Sequence, residues 1–147
     1  MSGQLSHIQL CNIGREWLVK TKRCNPVFVE KGTSVADEIP DVIGWTRKGS
    51  ILIECKTSRS YFLADQKKPH RQGAGMGTTR YYLCEEGVIN IGDLPDGWGL
   101  LHAFRSLYRD ECRQVHPPVD RRDEDIDVRG ELGFLRSRLL EIQRFGR

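Results

Sequence analysis

Asp41, Glu54 and Lys56 stand among the Val, Ile, Leu and Trp residues of DEIPDVIGWTRKGSILIECKTS, residues 37–58. Burying charge in such surroundings is costly unless the charge is paired, hydrogen-bonded or bound to a metal. DVIGW and ILIECK are β-rich runs on either side of the glycine-containing TRKGS, a pattern that predicts a hairpin. Successive strand side chains point to opposite faces, so Glu54 and Lys56 share one. A two-residue turn at Lys48-Gly49, or a four-residue loop from Arg47 to Ser50, sets Trp45 opposite Leu52, Ile43 opposite Glu54 and Asp41 opposite Lys56. Opposed Cβ atoms lie ~4.5–5.5 Å apart, so the three polar groups converge. A three-residue loop without a bulge would turn Asp41 to the other face.

Two carboxylates held that close repel each other, and an oxygen-preferring divalent cation, Mg²⁺ or Mn²⁺, relieves the repulsion. The expected ligands are Asp41, Glu54 and the backbone carbonyl of Cys55. Lys56 is then placed to orient or deprotonate a water at the cation and to neutralise charge on a phosphorane-like transition state. The competing explanation is a plain cross-strand ion pair, which at a surface contributes ~0–1 kcal/mol.

Other elements must carry this hairpin. Leu10, Ile13 and Trp17 repeat at helical spacing within 4–20, with Gly14 weakening the pattern. VFVEKG after residue 26 reads as a short strand, SRSYFLADQKKPHR as partly helical up to Pro69, and the glycine-rich QGAGMGTT at 72–79 as a loop in close apposition to something. RYYLCEEGVINI predicts a second hairpin and WGLLHAF one more strand. Residues 114–129, with Pro-Pro and the acidic DRRDEDID, read as a solvated linker. A C-terminal helix at 130–145 follows, with Leu132, Leu139, Leu135 and Ile142 on one face. The expectation is one α/β domain spanning 1–147, a mixed sheet of about five strands flanked by helices.

Composition sets the remaining bounds. With 38% hydrophobic and 29% charged residues among 147, the chain has the make-up of one soluble domain, and no apolar run approaches the ~20 residues of a membrane span. The N-terminus lacks a secretory pattern, so a cytoplasmic location is expected. Five scattered cysteines without a CxxC pair argue against disulfides and structural zinc. The net charge is only +3, yet Lys56 to Arg80 holds six basic residues against the single acid Asp65. Arg59, Lys67, Lys68, His70, Arg71 and Arg80 therefore form a candidate nucleic-acid surface. Tyr61 and Phe62 offer either base stacking or core packing.

Pro40-Asp41, twelve intervening residues and Glu54-Cys55-Lys56 resemble the PD-(D/E)xK nuclease motif. IPDVIGW followed by ILIECKTSRSYFLADQKK looks most like the virus-type replication-repair (VRR-NUC) branch, over residues 37–68. The resemblance implies a restriction-endonuclease-like fold and a Mg²⁺- or Mn²⁺-dependent endonuclease acting on DNA, leaving a 5′-phosphate and a 3′-hydroxyl. It also implies that Gln66, on the helix after the motif, sits near the metal, and that an acid of the first helix, for which Glu16 is the candidate, joins the ligands. So small a nuclease would be structure-selective, directed by a protein partner, or paired as a homodimer. The alternative is a nucleic-acid-binding subunit of a larger assembly that keeps the fold and has lost the cutting.

Overall fold

A computed structural model describes residues 4–30, 39–68 and 75–146. The described residues form an α/β fold, a six-stranded mixed sheet flanked by three helices. Helix α1 (His7–Lys20) leads to β1 (Val27–Val29), β2 (Val42–Thr46) and β3 (Gly49–Cys55). Helix α2 (Arg59–Asp65) crosses to β4 (Thr79–Glu85), followed by β5 (Trp98–Arg105), β6 (Asp110–His116) and helix α3 (Val128–Phe145). The strands lie side by side in chain order. β3 and β4, and β4 and β5, run parallel, and the outer pairs run antiparallel.

Strand alternation divides the core into two layers. Val42, Ile53, Tyr81, Leu83 and Leu101 face α1 and pack on its Leu10, Cys11, Trp17 and Leu18. Ile43, Leu52, Tyr82, Trp98 and Leu100 face the other way, onto Phe62 of α2 and Met76. The start of α1 is fixed by a capping box, in which Ser6 accepts from the Gln9 N–H and the Gln9 side chain accepts from the Ser6 N–H. Gly14 suits the close approach of α1 to the sheet: a Cβ there would sit 3.2 Å from Leu83 and 3.4 Å from Ile53, so those side chains would have to give by a few tenths of an ångström.

The hairpin closes two residues away from the expected register. Thr46 pairs with Gly49, so the turn is Arg47-Lys48, Trp45 opposes Ser50 and Ile43 opposes Leu52. Thr46 Oγ1 accepts from the Lys48 N–H at 3.1 Å, which tightens that turn. Gly49 opens β3 at φ +135°, where the Thr78 hydroxyl lies 2.3 Å from the position a Cβ would take. Its glycine therefore serves contact with Thr78 as the first residue of the strand. A two-residue shift leaves every side chain on its expected face.

Three further expectations change. RYYLCEEGVINI is no hairpin: β4 pairs in parallel on both sides, Ile89 drops into the core, and Ile91–Asp93 is a 3₁₀ turn. Arg80 through Cys84 are all buried, the continuous pattern of a central parallel strand rather than one face of a hairpin. DECRQVH, unassigned from sequence, forms the edge strand β6. Residues 114–116 belong to it and 128–129 to α3, so the expected linker shortens to 117–127, largely exposed as expected but held as a strap. The Arg121 N–H donates to the Thr78 carbonyl, its guanidinium donates to the carbonyls of Gly75 and Gly77 at 3.0 and 2.9 Å, and Ile126 is buried.

Helix α3 meets the sheet through Phe134, whose ring lies 5.7 Å from Phe28 and 6.4 Å from Trp45, and through Glu131. One Glu131 oxygen accepts from Ser50 Oγ and from the Gly77 N–H, both at 2.7 Å, and the other from Trp45 Nε1 at 3.3 Å. Leu132, Leu139 and Ile142 are exposed, so the apolar stripe seen in the sequence is not the packing face. Among the described residues no helix is long and apolar enough to cross a membrane. Since Glu131 satisfies donors of β2, β3 and the Gly75–Thr78 segment together, Glu131→Ala is expected to cost about 2–3 kcal/mol in urea denaturation. A loss below about 0.5 kcal/mol would show that the carboxylate staples nothing.

Candidate functional site

The C-terminal end of β3 opens into a cavity of about 500 Å³ between the start of α1 and α2. His7, Asp41, Glu54, Lys56, Asp65 and Lys68 contribute to its wall. Glu54 and Lys56 follow Leu52 onto the α2 face of β3, and the Lys56 N–H extends the ladder by one bond to the Leu83 carbonyl, 2.9 Å. Asp41, directly before β2, is brought beside Glu54 and Cys55 by the observed register, not opposite Lys56. Its Oδ2 accepts from the Cys55 N–H at 2.8 Å, and its Oδ1 lies 3.2 Å from His7 Nε2.

The Glu54 carboxyl, 3% exposed, is hydrogen-bonded to Asp41. Burial pushes the Asp41 pKa up, but the hydrogen bonds from His7, Glu54 and the Cys55 N–H outweigh it and hold the group below the usual carboxylate range. His7 is raised to about 10, chiefly by its bond to Asp41 and then by Cys11. The Cys11 thiol is lowered, first by its hydrogen bond to Cys55, against burial and with the help of His7, while burial drives Cys55 well above the ordinary thiol range. Two touching carboxyls and a backbone strand end make a hard oxygen donor set, which fits Mg²⁺ or Mn²⁺.

Lys56 has a partner the sequence did not suggest. Its Nζ donates to Asp65 Oδ1 at 3.0 Å, and Lys68 Nζ lies 3.5 Å from the same oxygen. Asp65 is 2% exposed and receives the Tyr82 hydroxyl on Oδ2 at 2.6 Å, while Gln66 Nε2 donates to that hydroxyl at 2.7 Å. Gln66 thus supports the site from behind and does not line the cavity, a correction to its expected place near the metal. Asp65 was legible as an acid three residues after the core residue Phe62, on the same helical face. His7 and Cys11 were legible too, as a histidine and a cysteine at i, i+4 on the stripe side of α1.

The remaining sequence candidates scatter. Glu16 pairs with Lys20 at 3.4 Å on the solvent side of α1, nine residues from His7 and so roughly 13 Å along the axis, too far to join the ligands. Arg59 is bound bidentately by Asp93 at 2.7 and 2.8 Å, and Arg80 is 7% exposed with its guanidinium 4.5 Å from the Trp98 ring centre. Arg80 is therefore a core residue, not part of a nucleic-acid surface. Lys67 and Lys68 are exposed, and Lys68 reaches the cavity. His70 and Arg71 lie outside the described residues. Phe62 is core, edge-on to Tyr82 at 5.0 Å, whereas Tyr61 is exposed at the cavity rim.

No protein-family model matches the chain, and no curated protein does. The chain is similar in structure to a protein of unknown function from Silicibacter pomeroyi, with a TM-score of 0.63 and 18% identity, covering 99% of this chain and 95% of that one. At that identity the likeness extends to the fold alone.

Two outcomes test the network. Tyr82→Phe removes a hydroxyl bonded to an acid and leaves Gln66 unsatisfied, so a loss of about 1.5–3 kcal/mol is expected in denaturation, and no loss would mean that Tyr82 does not hold Asp65. Asp93 is depressed by Arg59, then by the Asn90 N–H, so its contribution to stability is present above the unfolded carboxylate pKa and is lost as pH falls through the folded one. Wild type should therefore exceed Asp93→Asn in urea stability at neutral pH, and the gap should close with acid below about pH 4. A gap that widened with acid would contradict the pairing.

Proposed function

We propose that this chain is a metal-dependent nuclease of the PD-(D/E)xK type with a restriction-endonuclease-like fold, closest to the VRR-NUC branch, that hydrolyses phosphodiester bonds in DNA. One observation carries the reading: Asp41, Glu54 and Lys56 line a single open cavity at the end of the β2–β3 hairpin. These residues sit on an antiparallel hairpin whose second strand, β3, is followed by α2 and pairs in parallel with β4.

Asp41 and Glu54, with the Cys55 carbonyl at the same strand end, would hold Mg²⁺ or Mn²⁺. The bound cation supplies Lewis acidity and neutralises charge on the phosphate. Lys56, steadied by Asp65, presents an ammonium to the non-bridging oxygens as negative charge grows there, and it fixes the water that attacks phosphorus. As the water bonds to phosphorus and the P–O3′ bond breaks, the water gives up one proton to solvent and the leaving oxygen takes one up from solvent, giving a 3′-hydroxyl and a 5′-phosphate. Lys68 at the cavity and Lys67 beside it attract the backbone, and Tyr61 at the rim offers a face for an unpaired base, which favours branched or single-stranded substrates.

The Lys56–Asp65 bond is the one feature that favours a second reading, a binding subunit whose lysine is committed to structure. Incubation with duplex, single-stranded and branched DNA and Mg²⁺ or Mn²⁺ separates the two. The nuclease reading expects wild-type cleavage, a fall of about 10²–10³ in rate for Lys56→Ala, and a similar loss for Glu54→Ala, with DNA binding retained. Binding without cleavage by the wild type would favour the subunit, and cleavage unaffected by Glu54→Ala would remove the proposed site.

A further inference from the structure

The layer opposite Lys56 holds a second group of donors. His7 and Cys11 lie one turn apart on α1, with Cys11 Sγ 3.8–3.9 Å from the His7 ring nitrogens, and His7 Nε2 lies 3.2 Å from Asp41 Oδ1. One donor atom from each residue falls within 4.8 Å of the other two. Both elements are anchored independently of any ion, α1 by the Ser6–Gln9 capping box and the Asp41 carboxylate by the Cys55 N–H.

We propose that His7, Cys11 and Asp41 form a site for a soft divalent cation such as Zn²⁺, and that its occupation takes Asp41 away from the Mg²⁺ site. In a tetrahedral zinc site with metal–ligand distances of ~2.0–2.3 Å, neighbouring donors stand ~3.3–3.7 Å apart. The His7–Cys11 and His7–Asp41 separations lie within a few tenths of an ångström of that range, and Cys11 and Asp41, no more than 4.8 Å apart, close on the ion by side-chain rotation. Imidazole, thiolate and one carboxylate select Zn²⁺ over Mg²⁺, as thiolate is a poor partner for a hard ion. Cys11 is buried, while the His7 side chain is half exposed and leaves an entry path and a fourth position for water. Asp41 is the residue shared with the carboxylate pair, so one ion's hold on it weakens the other's. The binding stands apart from the nuclease reading, and the inhibition rests on it.

Cobalt(II) titration of the metal-free full-length protein, followed by absorption, tests the site. Wild type is expected to bind one equivalent with a thiolate-to-cobalt charge-transfer band and tetrahedral d–d absorption, both bleached by Zn²⁺. Cys11→Ser loses the charge-transfer band. His7→Gln weakens binding by more than about tenfold, the lower end of what losing even an outer partner of a ligand costs. Glu54→Gln, which belongs to the carboxylate pair and not to this site, retains the band. No band in wild type, or a band that survives both Cys11→Ser and His7→Gln, overturns the site. If Cys11→Ser does not fold, His7→Gln decides alone. In the cleavage assay, the Zn²⁺ concentration that halves each protein's own rate should rise by more than about tenfold in His7→Gln. An unchanged value overturns the inhibition, and a wild type that cuts nothing removes both the nuclease reading and the inhibition while the cobalt result still decides the site.

Discussion

Two carboxyl groups in contact and nearly out of water are unfavourable unless something positive, or a shared proton, sits between or beside them. Asp41 and Glu54 meet in that way because the β2–β3 register leaves no alternative: a turn at Arg47-Lys48 brings Asp41 level with the end of β3, where the Cys55 N–H fixes one of its oxygens. Everything around the pair reads as a response. On the α1 side, His7 approaches the other oxygen. On the α2 side, Lys56 is drawn to Asp65, which sets an ammonium beside the pair without neutralising it directly.

The two layers therefore have different duties. α1 packs closely on β3 and β4 at Gly14, and this sets His7 at the wall of the cavity with Cys11 buried one turn behind it. α2 carries one large core side chain, Phe62, and one buried acid, Asp65, and the second of these ties Lys56, Lys68 and Tyr82 together. Farther off, Glu131 and Arg121 hold the Gly75–Thr78 segment against the N-terminal end of β3, so the hairpin is pinned at the end remote from the cavity. Both ends of β3 are thus constrained by buried or half-buried charge, and its middle by apolar packing.

The central hairpin, the first helix and the faces of Glu54 and Lys56 could be read from alternation and helical spacing, because both patterns are local. The register could not, since Gly49 answers to Thr78, a contact 29 residues away in the chain. The same limit hid the character of β4, whose burial on both faces depends on neighbours either side. It also hid β6 and the 117–127 strap, where charged residues conceal an ordered path whose carbonyl acceptors lie on the Gly75–Thr78 segment. At the site, both Gln66 and Glu16 were placed by resemblance; Gln66 stands behind Asp65 rather than at the cavity wall and Glu16 lies away from it, whereas Asp65, counted only as a stray acid in a basic run, is among the most buried charges of the described residues. Arg80 shows the same limit: a cation in a basic stretch proved to be packed on Trp98.

The central proposal is that Asp41 and Glu54, with the Cys55 carbonyl, hold an oxygen-ligated Mg²⁺ or Mn²⁺. A crystal of the protein soaked in Mn²⁺ and measured for anomalous scattering tests it directly. The account predicts a peak held by both carboxylates next to the Cys55 carbonyl. A crystal that takes up Mn²⁺ only elsewhere, with the two carboxyls still bonded to each other, would contradict it.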